Sequence, residues 1–157
     1  NTVIDYLSHF EDTYLFFQNL KYEYSLAKQL GSIKKLYCID NGLLNAVSFK
    51  FSEDLGKLLE NLVFIELRRR NEQVYYFRKK YECDFLIVRK NKPALAVQVT
   101  KKLDEDNEKR EINGLMESME EYKLKEGIIL TEEQEEERIV EGKKIRILPV
   151  WKWLLLD

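Results

Sequence analysis

The sequence predicts a mixed α/β domain in which helices cover the faces of a central sheet. Three observations carry that expectation. A long amphipathic segment ending near Asn71 precedes three runs rich in β-branched and aromatic residues, "QVYYFR", "ECDFLIVR" and "ALAVQVT". A second amphipathic segment, from about Asp106 to Tyr122, leads into the strand-like "GIILT". Finally, "ERIVEGKKIRILPV" has the form of a hairpin turned at Glu141 and Gly142. From residue 36 onward the order is therefore strand, helix, three strands, helix, strand, hairpin.

Taken in order, Thr2 can cap a short helix, with Asp5 in a variant capping box and Val3, Ile4, Leu7 and Phe10 on one side. "TYLFFQNL" and "KYEYSLA" read as two strands, so residues 1–35 look like the tail of a winged helix. Residues 36–157 form the main domain. "KKLYCID" reads as a buried strand, and Ser52 caps the long helix with Glu53 and Asp54 in its first turn. Leu55, Leu58, Leu59, Leu62 and Ile65 share one helical face, while Phe64 and Leu67 extend apolar character towards another, which predicts burial on more than one side. In the second helix Ile112, Leu115, Met116, Met119 and Tyr122 recur at helical spacing. "VWKWLLL" closes the chain as an apolar, helical end.

One domain plus an appendage suits 157 residues of which 45% are hydrophobic. Cys38 and Cys83 lie in apolar segments without paired spacing, which predicts reduced core thiols and a cytoplasmic protein. No apolar run approaches the ~20 residues needed to cross a bilayer, so no membrane partner is expected. The start, "NTVIDYL", has neither an initiator Met nor a signal-peptide pattern and reads as if cut from something upstream. His9 is the single histidine, which argues against a His-dependent triad or a multi-histidine zinc site. No G-x-x-x-x-G-K-[ST] occurs, so no nucleotide site is expected in this stretch.

Charge is uneven although the net charge is −2: residues 68–102 hold 11 Lys/Arg against 3 Asp/Glu. Arg68, Arg69, Arg70, Arg78, Lys79, Lys80 and Lys101 belong to this basic stretch and are candidate nucleic-acid contacts, with solvated turns and helix ends as the plainer reading. Within the same stretch, alternation puts Glu82 and Asp84 on one strand face, and Gln98 and Thr100 on one face of the next. A hairpin centred on Asn91 pairs residues whose numbers sum to 182, setting Asp84 opposite Gln98 and Glu82 opposite Thr100. A carboxylate beside an amide oxygen can hold a hard cation such as Mg²⁺, which would activate water. Ordinary solvent-exposed strand ends would look the same.

"KKLYCIDNGLL", "GKLLENLVFIEL", "ECDFLIV", "ALAVQVT" and "RILPVWKWLL" resemble, in order, the C-terminal domain of archaeal and bacterial AAA-type P-loop ATPases. The resemblance implies an α/β restriction-endonuclease-like core of the PD-(D/E)XK type, preceded by a winged helix and an ATPase module. By that resemblance Glu60 matches the acidic residue of the first helix, Asp84 the metal-binding aspartate, and Gln98 the second strand's acid. Thr100 stands where the catalytic lysine is expected, so "QVT" departs twice from (D/E)-x-K. A threonine hydroxyl supplies neither positive charge nor a base near neutral pH. Lys102 has the right strand parity to replace the lysine, and Lys101 the opposite parity. Glu66, roughly 240° round the helix from Glu60, reads as a structural anchor to backbone or arginine.

The leading expectation is a nuclease-like DNA-binding or regulatory module of an ATPase, its cleavage weakened or lost. The upstream ATPase module of the same polypeptide and DNA are its expected partners. Two alternatives stand beside it. One is an active Mg²⁺- or Mn²⁺-dependent nuclease using Asp84, Glu60, Gln98 and Lys102. The other is a protein-interaction domain able to form a homo-oligomer, with residues 132–137 and "WKWLLL" as docking surfaces.

Overall fold

The computed structural model of the protein describes residues 2–47 and 55–156. The N-terminal flank comprises α1 (Thr2–Asp12), β1 (Phe16–Asn19), α2 (Leu26–Gly31), β2 (Lys35–Cys38) and α3 (Asn41–Val47). After α4 (Leu55–Arg69) come β3 (Gln73–Arg78), β4 (Glu82–Arg89) and β5 (Lys92–Val99), then α5 (Glu108–Glu121) and β6 (Glu126–Thr131). A hairpin of β7 (Glu136–Val140) and β8 (Lys143–Pro149) and a short α6 (Val150–Leu154) complete the chain.

The six strands β3 to β8 form one mixed sheet in the order β3-β4-β5-β6-β8-β7. β3, β4 and β5 make an antiparallel meander; β5–β6 and β6–β8 are parallel, and β7 returns antiparallel on β8. A parallel pair needs a crossover, which α5 supplies between β5 and β6. On that face Leu115 and Met119 of α5 pack with Cys83, Leu86, Ala96, Ile129, Ile145 and Ile147. On the other, Val63, Phe64 and Leu67 of α4 and Trp153 of α6 pack with Phe85, Ile87, Val97, Val99 and Leu130. Burial on both sides explains why β4 and β6 read as nearly continuous apolar runs. Each such large side chain contributes roughly 1.5–3 kcal/mol on burial.

Two expectations need correction here. "KYEYSLA" does not form a second strand: Leu26–Gly31 is helical, and β1 pairs instead with β2 in a separate two-stranded sheet. Leu26, Ala27, Lys28, Gln29 and Leu30 are all good helix formers, and no run of β-branched residues competes. In α4 the buried residues are Asn61, Val63, Phe64, Glu66 and Leu67, whereas Leu62, on the expected apolar face, is exposed. The proposed Ser52 cap with Glu53 and Asp54, and the side chains of Thr2, Val3, Ile4 and Leu7, lie outside the described residues.

Polar groups attach the flank to the body. Asn61 of α4 accepts from the Cys38 N–H at 2.8 Å and donates to the Cys38 carbonyl at 2.9 Å, so one amide reads the end of β2 as a neighbouring strand would. Residues 20–22 run beside β3, where Tyr76 N–H donates to the Leu20 carbonyl and Tyr22 N–H to the Tyr76 carbonyl. Apolar contact adds to these bonds, since Phe17 and Tyr37 join the α4 layer and Tyr37 stacks on Phe64 with ring centroids 4.1 Å apart.

A bulge in β4 redirects the side chains around Asp84. Tyr75 lies opposite Leu86 and Phe77 opposite Cys83, so Tyr76 alone faces both Asp84 and Phe85. The extra residue breaks the alternation. Cys83 and Leu86 face α5, while Phe85 belongs to the α4 layer and Asp84 turns towards the flank. Gly114 allows α5 to lie close against this point: a Cβ there would sit 2.0 Å from the Glu82 carbonyl oxygen.

Candidate functional site

The start of β4, the end of β5 and the first turns of α4 and α5 surround a cleft of about 670 Å³. Its floor holds Glu60 of α4, Glu82 and Asp84 of β4, Gln98 of β5 and Glu111 of α5. Lys57, Arg78, Lys80, Lys101 and Arg110 line its rim. The sequence-predicted trio of Glu60, Asp84 and Gln98 thus converges on one cleft.

Asp84 is buried and both of its oxygens are engaged. Val99 N–H donates to Oδ2 at 3.0 Å, and Oδ1 accepts from the Lys35 ammonium at 2.9 Å. The bulge removes the Asp84 N–H from the strand ladder, and Gln98 Oε1 accepts it at 3.1 Å. Gln98 Nε2 in turn donates to Glu111 Oε2 at 2.6 Å. The amide therefore braces the bulge against α5. Glu111, overlooked in the sequence, is also bound by Arg110 at 2.5 Å.

Lys35, at the start of β2, is the principal residue that sequence reasoning missed. Its ammonium lies 2.8 Å from Glu82, 2.9 Å from Asp84 and 3.1 Å from Glu60. Tyr37, on the same strand face, donates its hydroxyl to Glu60 at 2.6 Å. Burial alone would lower the Lys35 pKa, but the Asp84 and Glu60 carboxylates outweigh it and hold the amine charged well above its ordinary value. Burial, joined by the Glu60 charge, pushes Asp84 up, and the Lys35 charge opposes that rise. The one sequence signal for Lys35 is a lysine sharing a strand face with the buried Tyr37. Nothing in the sequence links it to an aspartate so far along the chain.

Lys102 does not take this place: its ammonium sits 3.5 Å from Asp104, is mostly exposed and is not among the cleft-lining residues. Thr100 lines the cleft and its hydroxyl donates to the Lys102 carbonyl at 3.2 Å. Of the basic candidates, Arg78, Lys80 and Lys101 reach the rim. Lys79 pairs instead with Glu121 at 2.5 Å. Arg68 and Arg69 end α4 and Arg70 follows it, about 20 Å along the helix from its cleft-lining first turn. Arg68 covers the Phe17 ring, and Arg69 and Arg70 bind Glu66 at 2.7 and 2.6 Å. Arg70 also covers Trp153 and donates to the Trp153 and Leu154 carbonyls. The hydrogen bonds from Arg69, and then those from Arg70, hold the Glu66 carboxyl down at about 2.

The resemblance implied a divalent ion on Asp84, Gln98 and Glu60, and these residues do not fit one as arranged. The Gln98 amide is committed to Asp84 and Glu111, and an ammonium already sits among the carboxylates. Among the described residues, no group of three or more His, Cys, Asp or Glu side chains is arranged to hold a metal ion. Neither cysteine offers a nucleophile, since both are buried and burial pushes the Cys83 thiol up to about 12. No helix among the described residues is long and apolar enough to cross a membrane.

A bulged mixed sheet with an ion-paired cleft at one end defines the domain's class. The chain belongs to the family described as "Domain of unknown function (DUF4143)", whose model matches residues 55–153 and which is found at the C-terminus of AAA-ATPase-like proteins. It is 41% identical over 164 residues to an uncharacterized protein of Methanocaldococcus jannaschii, covering 98% of this chain and 36% of that relative. An uncharacterized protein of Haemophilus influenzae is 31% identical over 156 residues, covering 99% of this chain and 37% of that relative. The chain thus spans little more than a third of the length of these relatives. No solved structure matches it.

Proposed function

We propose that this is a restriction-endonuclease-like domain that binds the phosphate backbone of DNA without cutting it, as a regulatory module of a cytoplasmic AAA-type ATPase. The observation that carries this reading is the charge arrangement of the cleft. Six cations, Lys35, Lys57, Arg78, Lys80, Lys101 and Arg110, surround four carboxylates, Glu60, Glu82, Asp84 and Glu111, so that with Arg78 and Arg110 paired to Glu82 and Glu111 the cleft still presents an excess of positive charge to an approaching polyanion. Hydrolysis lacks its usual parts: Thr100 replaces the strand lysine, and Gln98 is turned away from ion binding.

Fluorescence anisotropy with duplex and branched DNA across a salt series tests it. Binding should weaken steeply with salt, and Lys80→Ala with Lys101→Ala should reduce the log–log slope by roughly 2, about 0.9 for each phosphate no longer neutralised. Affinity independent of salt, or unaltered in the double variant, overturns the reading. Nicking of supercoiled plasmid in Mg²⁺ or Mn²⁺ that disappears in Asp84→Ala would replace it with an active nuclease.

The flank favours a second role, docking on the ATPase module of the same polypeptide or on a second copy. Tyr24, Leu26, Leu30 and Ile33 are exposed large apolar side chains within one short stretch. Light scattering of the domain with and without the upstream module distinguishes these partners, and absence of both interactions removes the role.

A further inference from the structure

Next to the cleft lies a second hollow, of about 420 Å³, walled by Tyr22, Tyr24 and Tyr122 and edged by Lys92, Pro93 and Lys123. It continues between the same three tyrosines and Lys21, Arg78 and Lys79. Arg78 lines the cleft as well, so one side chain borders both. The rings are gathered around Tyr22, which meets Tyr24, Tyr75 and Tyr122 edge to face with centroids 5.6, 5.4 and 5.4 Å apart. Packing of the flank on β3 and on the end of α5 accounts for Tyr22, Tyr75 and Tyr122. It does not account for Tyr24, which ends the cluster with its side chain 83% exposed. A ring held at one edge and bare elsewhere is a platform for a further π system.

Charge decides what that system is. The two acids of the hollow are already answered, Glu23 by Lys21 at 2.6 Å and Glu121 by Lys79 at 2.5 Å. Lys92 and Lys123 are exposed and enter no ion pair among the described residues. A cationic ligand would find aromatic faces there but also an excess of positive charge. An unpaired nucleic-acid strand suits both features, since its bases stack on tyrosine while its phosphates meet lysine. Consecutive residues carry the charge across: Lys79 lines the hollow, Lys80 the cleft, and Arg78 both. We infer that the tyrosine hollow is a binding site for unpaired bases of a DNA strand, with Tyr24 as the stacking platform and Lys92 and Lys123 as phosphate contacts. Together with the cleft it makes a duplex carrying an unpaired tail the preferred ligand, a preference that rests on the backbone-binding reading given above.

Fluorescence anisotropy at constant ionic strength tests this with a blunt duplex, the same duplex bearing a short thymidine tail at its 3′ or 5′ end, the same tail made of abasic units, and the tail strand alone. One of the thymidine tails should raise affinity over the blunt duplex by about fivefold or more, the lower end of what one base–aromatic stack contributes. Tyr24→Ala should cancel that gain and Tyr24→Phe should keep it, because the ring and not the hydroxyl stacks. An abasic tail, with the same phosphates and no bases, should give a clearly smaller gain. Blunt duplex should bind Tyr24→Ala and the parent equally, and the exposure of Tyr24 leaves the fold of that variant intact.

No gain from either tail overturns the inference, as does a gain that survives Tyr24→Ala or is equally large without bases. Competition by tetramethylammonium beyond that of sodium at equal ionic strength also overturns it, assigning the hollow to a cation instead. Failure of the cleft reading looks different. If the blunt duplex is not bound while the single strand is, in a Tyr24-dependent way, the stacking site is upheld without the cleft; if neither DNA is bound, both fall.

Discussion

In the six-stranded sheet, the side chains of β4, β5, β6 and β8 are covered by α4 on one face and α5 on the other, and the layers are almost wholly apolar. The flank is built differently. Phe17 and Tyr37 reach the body's core, but Tyr24, Leu26, Leu30 and Ile33 face outwards, and much of the attachment runs through the Asn61 amide, the Lys35 ion pairs and two backbone bonds to Tyr76. Non-directional burial dominates the body, whereas the flank adds directional bonds to the apolar contacts of Phe17 and Tyr37. The difference teaches that the cleft is shared between the body, which supplies its acids, and the flank, which supplies the ammonium lying among them.

Removing body packing should have the largest effect. Phe85 is fully buried and faces Tyr37 and Phe64, so Phe85→Ala should lower the free energy of unfolding by roughly 3–5 kcal/mol in urea titrations. A much smaller loss would mean that the flank and α4 do not close on the sheet as described. Next comes Gly114→Ala. Its Cβ would collide with the Glu82 carbonyl, and forcing α5 off β4 should cost about 2–3 kcal/mol, read as a lower urea midpoint.

Glu66 sharpens the comparison through pH. Its carboxyl is held below the ordinary value, so its contribution is complete above about pH 4.5, the unfolded value, and is lost as pH falls through about 2. Glu66→Gln should therefore cost roughly 1.5–3 kcal/mol at pH 7, and the gap from the parent should shrink between pH 4.5 and 2. A gap independent of pH would assign Glu66 to packing alone. The smallest effect belongs to the flank's outer surface. Ile33→Ser should change stability by less than about 0.5 kcal/mol, because that side chain is 76% exposed.

Much of the body is legible in the sequence. "ECDFLIVR" coincides with β4 because a strand buried on both faces carries an unbroken run of β-branched and aromatic residues, and "QVYYFR" coincides with the half-buried edge strand β3. The hairpin register agrees with expectation for an instructive reason. At the tip, Val88 pairs with Pro93 and Arg89 with Lys92, sums of 181, and the extra residue Ala94 restores the expected 182 at Ile87–Leu95 and beyond. Two features resist reading. Glu66 is the arginine-bound anchor expected of it, whereas Asn61 is buried because β2 satisfies its amide, and helical periodicity does not register such a partner. The bulge at Asp84 and the arrival of Lys35 from β2 are tertiary facts, and strict alternation predicts neither.

Residues 20–22 also act on β3 itself. β3 is an outermost strand of the sheet, and an edge left bare is a template on which another chain can add a strand. The opposite edge, β7, is guarded by the charges of Glu136, Glu137 and Arg138. β3 carries "VYYF" at its centre, and its guard is the flank, through the Leu20 and Tyr22 bonds to Tyr76. Any movement that lifts residues 20–22 together with Lys35 uncovers an aromatic strand edge at the same moment. Were that edge bare, it would offer a template on which a second copy or a partner could add a strand, so the short run of residues 20–22 serves as a cap against unwanted pairing.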